Sequence, residues 1–149
     1  MLITIHSYTA YITLAALIIA IVNAWSGLLG KRSFKKIDAR INLVALIFSH
    51  LQLLLGLVMY FTAGYFNTLL ETINNQEMGM SHLMKTESLR KMLVEHPLSM
   101  IIAIALITIG YSRHKKKSGK AKFKTIGIFF SIGLIIILAA IQWRSWLGM

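Results

Sequence analysis

Ile5-His-Ser-Tyr-Thr-Ala-Tyr-Ile-Thr-Leu-Ala-Ala-Leu-Ile-Ile-Ala-Ile-Val-Asn-Ala-Trp-Ser-Gly-Leu-Leu29 runs without one formal charge and is followed at once by Lys31-Arg-Ser-Phe-Lys-Lys-Ile-Asp-Ala-Arg40. A helix needs roughly 20 mostly apolar residues to cross the hydrocarbon core of a bilayer. The first stretch meets that length, and the second loads its end with five Lys or Arg. Three further stretches have the same character: 41–65, interrupted only by His50; 92–111, uncharged from Pro97; and 125–143, nearly continuous Ile, Leu, Phe and Gly. Alternating segments of about ten residues, as in a membrane barrel, are absent from the pattern. The chain therefore reads as an all-α integral membrane protein, one four-helix domain over 1–149. No Lys or Arg precedes Lys31, and the first apolar stretch is too long for a signal peptide, so it is expected to stay as a span.

Charge fixes the expected orientation. The connection Arg113–Lys124 holds seven Lys or Arg, while the longer one between spans 2 and 3 sets Lys85, Arg90 and Lys91 against Glu71, Glu77, Glu87 and Glu95. Lys and Arg favour cytoplasmic loops, so both basic connections are predicted inside. An up-down four-helix bundle then has both termini on the non-cytoplasmic side. The net charge of +11 is concentrated in those two runs, where it reads as a topology determinant and a contact for anionic lipid, not for nucleic acid. Only 14% of the 149 residues are charged and 56% are hydrophobic, a composition suited to lipid contact. Tyr8, Tyr11, Tyr60, Tyr65, Trp143 and Trp146 fall at the expected outer interface, Trp25 and Tyr111 at the inner one. Thr86–Leu93 is expected to start a short interfacial helix, and Pro97 to start or kink the third span.

Membrane helices pack through small and polar residues. Such residues form a stripe on span 1 (His6, Thr9, Thr13, Ala16, Ala20, Asn23, Gly27) and on span 2 (Asn42, Ala45, Ser49, Gln52, Gly56). Span 3 offers His96, Ser99, Ala103 and Gly110, and span 4 offers Gly127 and Ser131. Ionisable groups at membrane depth are costly and mark function, which directs attention to the histidines. At ~1.5 Å rise per residue, His6 and His96 stand roughly 28 and 22 Å above Trp25 and Tyr111. Spans 1 and 3 are diagonal in an up-down bundle, so this pair could clamp a flat macrocycle through neutral imidazole nitrogens. Two interfacial histidines could equally meet only water and headgroups. His50 lies about 12 Å above Asn42, near mid-membrane, off the stripe of its helix. It is open to three readings: a ligand paired with His96, a hydrogen-bonding partner of Asn23 or Gln52, or a contact to another subunit. His114, inside the lysine run, reads as solvated. His82 in the outer connection is a weaker ligand candidate.

Arg90, Lys91 and Arg144 stand at the outer end, where Arg90 and Arg144 could neutralise haem propionates. Arg144, between Trp143 and Trp146, could instead make a cation–π contact. Glu95 could orient His96, or join His6 and His96, with His82 as a further donor, around a zinc, copper or iron ion. Without cysteine there is no disulfide, iron–sulfur cluster or covalently attached haem. No nucleophile–base constellation, phosphate loop or intramembrane carboxylate pair points to a hydrolase or phosphotransferase.

His6-Ser7, Gly30-Lys-Arg32 with Phe34, Phe48-Ser-His-Leu-Gln-Leu-Leu-Leu-Gly56, Val94-Glu-His-Pro97 and Ile107-Thr-Ile-Gly-Tyr-Ser112 together resemble small bacterial four-helix membrane proteins labelled cytochrome b. The resemblance covers nearly the whole chain. It implies a haem b protein of the bacterial inner membrane, with His6, His50 and His96 as candidate ligands and a quinone or a larger membrane redox complex as electron partner. One well-matched histidine pair, not two at two depths, is available here. The other readings that the sequence leaves are a cofactor-free accessory subunit of a larger membrane complex and an outer-face transition-metal site.

Overall fold

The structure is a computed structural model that describes residues 1–148. Among them there is no strand. The long elements are α1 (Leu2–Leu29) and α2 (Lys36–Thr62). Three short helices follow, α3 (Tyr65–Asn74), α4 (Gly79–Lys85) and α5 (Glu87–Arg90). A π-helical turn over Lys91–Glu95 leads into α6 (His96–Lys115). Last come α7 (Lys120–Ala140) and the short α8 (Trp143–Leu147). Four helical stretches are long and apolar enough to cross a membrane: Leu2–Leu29, Lys36–Thr62, Glu87–Lys115 and Lys120–Ala140.

These bounds differ from the sequence expectation in an instructive way. α2 and α7 begin five residues earlier than 41 and 125, inside the basic runs, and α6 continues to Lys115. Lysine and arginine are good helix formers, so the helices continue past the apolar stretch that hydropathy detects. Span 2 ends at Thr62, and Tyr65, expected within it, opens α3. Gly64, with φ +88°, makes the corner between them, a conformation costly for any residue with a Cβ. The outer connection is mostly helical, since α3, α4 and α5 fill it.

α1 packs on α2 and α7, α6 packs on α7 and α2, and α1 and α6 are not closely paired. The core between them consists of Leu17, Ala20, Ala24, Ala45, Ala103, Ile107, Phe123, Ile126, Phe130 and Ile137. Glycine makes the closest approaches possible. A Cβ on Gly127 would lie 2.8 Å from Trp25 Cε2, and one on Gly133 would lie 2.7 Å from Ile107 Cγ1. Trp25, expected at the headgroups, instead lies across this seam and donates from its indole N–H to Ser131 Oγ at 3.1 Å. Outward-facing Ile19, Val22, Leu54 and Ile135 are more than half exposed. Apolar residues on both faces of a helix suit one that spans a membrane.

The connection between α1 and α2 is locked from within. Asp38 is fully buried, and Arg32 donates to both of its oxygens at 3.0 Å. Asn23 Nδ2 and the Lys35 amide also donate to it, at 2.9 and 2.7 Å. The Arg32 guanidinium lies over the Phe123 ring. His114 departs from its expected solvated state: it is 2% exposed, packed against Phe34 and Tyr111. The aromatic Phe34 folds the first connection over the end of α6 and covers it.

Candidate functional site

Pro97 sets up the outer end of α6. It has no N–H to give to the carbonyl four residues before it, which is that of Leu93. The π turn ahead of it is closed by the His96 amide donating to Lys91 O. The orphaned Leu93 carbonyl, on a residue 2% exposed, accepts the Tyr60 hydroxyl from α2 at 2.7 Å. π turns of this kind occur mostly at functional positions. Here the turn is immediately followed by His96.

His96 is fixed by the end of another helix. The last carbonyls of an α-helix have no partner within it. α7 stops at Ala140, where the chain turns extended at Ile141, and Ala140 O lies 3.0 Å from His96 Nδ1. His6 is fixed from α2: the Gln52 amide nitrogen lies 2.9 Å from the His6 carbonyl and 3.1 Å from its Nδ1. Gln52 Oε1 meets the Thr9 hydroxyl one turn along α1. Gly56, one turn beyond Gln52, leaves space for the ring; a Cβ there would lie 3.2 Å from His6 Cε1.

The two imidazoles come together. Their centroids are 6.5 Å apart and their planes cross at 79°. Both line a cavity of ≈ 370 Å³ that reaches down to Thr13, Ser49, Ile104 and Ile137. Leu53, Met59 and Met100 add to its apolar wall, and Ser7, Gln142 and Ser145 supply polar groups. Trp146 also lines it and is stacked on Tyr11 at 4.4 Å, so the turn into α8 closes the cavity on the α1–α7 side.

The other expected residues lie elsewhere. His50 is exposed, with Nδ1 2.9 Å from Leu46 O and Nε2 3.2 Å from Thr108 Oγ1. It is not among the residues that line the cavity with His96, and its partners are neither Asn23 nor Gln52. Arg90 donates to Glu95 at 2.7 Å and to Met84 O at 2.6 Å, which occupies Glu95 and leaves Ala140 to orient His96. Neither Arg90 nor Arg144 lines the cavity. Among the described residues Arg144 makes no cation–π contact; Arg32, Arg113, Lys115 and Lys122 do. His82 is exposed and reaches only Thr86, at 3.5 Å. No group of three or more His, Cys, Asp or Glu that could hold a metal ion occurs among the described residues. Gln52 and Tyr60 were visible in sequence only as a packing position and an interfacial aromatic. The signal that could have found Gln52 is its spacing of four from Gly56 on the face turned to His6.

Comparison with known proteins gives no matching family model, no similar curated protein and no similar solved structure.

Proposed function

We propose that this chain is a b-type haem protein of the bacterial inner membrane, an up-down four-helix bundle with both termini outside, which carries electrons for a quinone or a larger membrane redox complex. The observation that carries the reading is the His6–His96 pair, 6.5 Å apart and nearly perpendicular at the head of an apolar cavity. Metal–imidazole bonds are about 2 Å long, so two of them plus half a ring on each side span on the order of 6 Å. The cavity volume falls within the roughly 300–1,000 Å³ usual for ligand pockets. The donor set favours a macrocycle over a bare ion. A bound zinc ion takes about four ligands, and only two imidazoles gather here. A porphyrin brings four nitrogens and asks the protein for axial ligands alone.

The residues then have definite tasks. Ala140 O and Gln52 orient the two imidazoles. Leu53, Met100, Ile104 and Ile137 exclude water, and low polarity around the site raises the weight of every nearby dipole. Ser7, Gln142 and Ser145 offer hydrogen bonds to carboxylates, a task expected of Arg90 and Arg144. Bound haem supplies one-electron transfer. Purified protein should show a Soret band and a reducible α-band, lost in His6→Ala/His96→Ala and kept in His50→Ala. A colourless protein that takes up no haem on reconstitution sinks the proposal.

A further inference from the structure

The two imidazoles are held by opposite kinds of partner. A backbone carbonyl can only accept, so Ala140 O, 3.0 Å from His96 Nδ1, requires the proton on that nitrogen. The Nε2 lone pair of His96 is left free to bind a metal. On His6 the logic reverses. The His6 carbonyl also can only accept, so the group 2.9 Å from it must be the NH2 of Gln52, not its oxygen. The Thr9 hydroxyl at Gln52 Oε1 fits the same orientation. The second N–H of that amide approaches His6 Nδ1 at 3.1 Å and Nε2 at 3.4 Å. The shorter approach makes Nδ1 the acceptor and puts the ring proton on Nε2. A nitrogen that carries a proton has no lone pair to give. To ligate through Nε2, His6 must move its proton and lose its bond from Gln52.

We infer that His96 is the fixed ligand and His6 a displaceable one, so that the site takes up a small diatomic molecule, of the class of carbon monoxide or nitric oxide, on the His6 side. This rests on the haem reading above. The released His6 ring already has a seat against α2, since Gly56 offers no side chain to push it back and Gln52 holds it. His96 has no such freedom, because the end of α7 and the π turn before it fix both its ring and its backbone.

Two measurements test the inference. Nitrogen-15 NMR of histidine-labelled full-length protein in micelles, without added haem, should find His6 protonated at Nε2 and His96 at Nδ1; the same tautomer at both overturns it. Haem-loaded, reduced protein should shift its Soret band on titration with carbon monoxide. Gln52→Glu, whose carboxylate accepts from Nδ1–H and strengthens His6 as a ligand, should weaken that uptake by about tenfold or more. His6→Ala should bind carbon monoxide more tightly than the wild type, whereas His96→Ala should fail to retain haem. Wild-type protein that keeps its haem yet ignores carbon monoxide refutes the inference and leaves the haem reading standing. Failure to bind haem sinks both, and the NMR result still reports whether the imidazoles are unequal.

Discussion

Tyr60→Phe removes one oxygen from the protein, and the structure says what that oxygen supports. The Leu93 carbonyl is deprived of its helical donor by Pro97 and accepts the Tyr60 hydroxyl at 2.7 Å instead. A buried acceptor left without a donor costs about 1–3 kcal/mol. Interhelical hydrogen bonds measured in membranes average lower, about 0.6 kcal/mol, because a freed group commonly finds another partner. Pro97 closes off the obvious one, so the loss is expected at about 1–2 kcal/mol. The substitution keeps the aromatic ring and its packing against Tyr65 and Phe66, which confines the change to the hydroxyl. The compensating change is Pro97→Ala, which restores an N–H four residues beyond Leu93. In a double-mutant cycle followed by denaturant unfolding in detergent, Tyr60→Phe should cost little in the Pro97→Ala background, with a coupling of about 1 kcal/mol. Additive effects of the two changes, or a neutral Tyr60→Phe in the wild-type background, would refute the account of how α6 is anchored.

Gly110→Ala should destabilise the α6–α7 packing by about 1–3 kcal/mol, because the new Cβ overlaps the Cβ of Phe129, which cannot swing away, and reaches Cγ at 2.9 Å; thermal unfolding in micelles measures it. Asp38→Ala should cost about 2–4 kcal/mol by the same assay, less than for a fully buried pair, because the Arg32 side chain is 37% exposed and regains water. Arg90→Ala and Arg144→Ala should leave haem retention unchanged, since neither residue lines the cavity; a bleached Soret band in either would return them to the site. Gln76→Cys should react with a membrane-impermeant maleimide in intact cells and Ser118→Cys only after lysis, as the proposed orientation requires.

The four candidate spans were legible because each is a long apolar run, and hydrocarbon thickness admits few alternatives. Their ends were not, since helix propensity and hydropathy part company at Lys36–Arg40 and Lys120–Lys124. The small-residue stripes pointed to Thr13, Ala20, Ala45, Ser49 and Ala103, all buried. The same stripes brought His6 and His96 onto facing surfaces and left His50 off them. What orients those rings was harder to read. The Ala140 carbonyl belongs to the backbone and has no sequence signal of its own. Gln52 was one polar residue among five on its stripe. Asp38 did carry a signal, as the only acid in a basic connection, and Phe34, which covers His114, was an aromatic residue out of place among lysines.

Arg32 carries the remaining consequence. While the chain is being inserted, Arg32 counts with Lys31, Lys35, Lys36 and Arg40 among the charges that retain a loop on the cytoplasmic side, and acidic residues contribute little to that count. Once the helices have assembled, its charge is matched by Asp38 and no longer faces the membrane surface unpaired. One guanidinium thus acts at two moments in the life of the chain, and the two can be separated. Changing Asp38 spares the direction of insertion and loosens only the finished protein. Changing Arg32 weakens both.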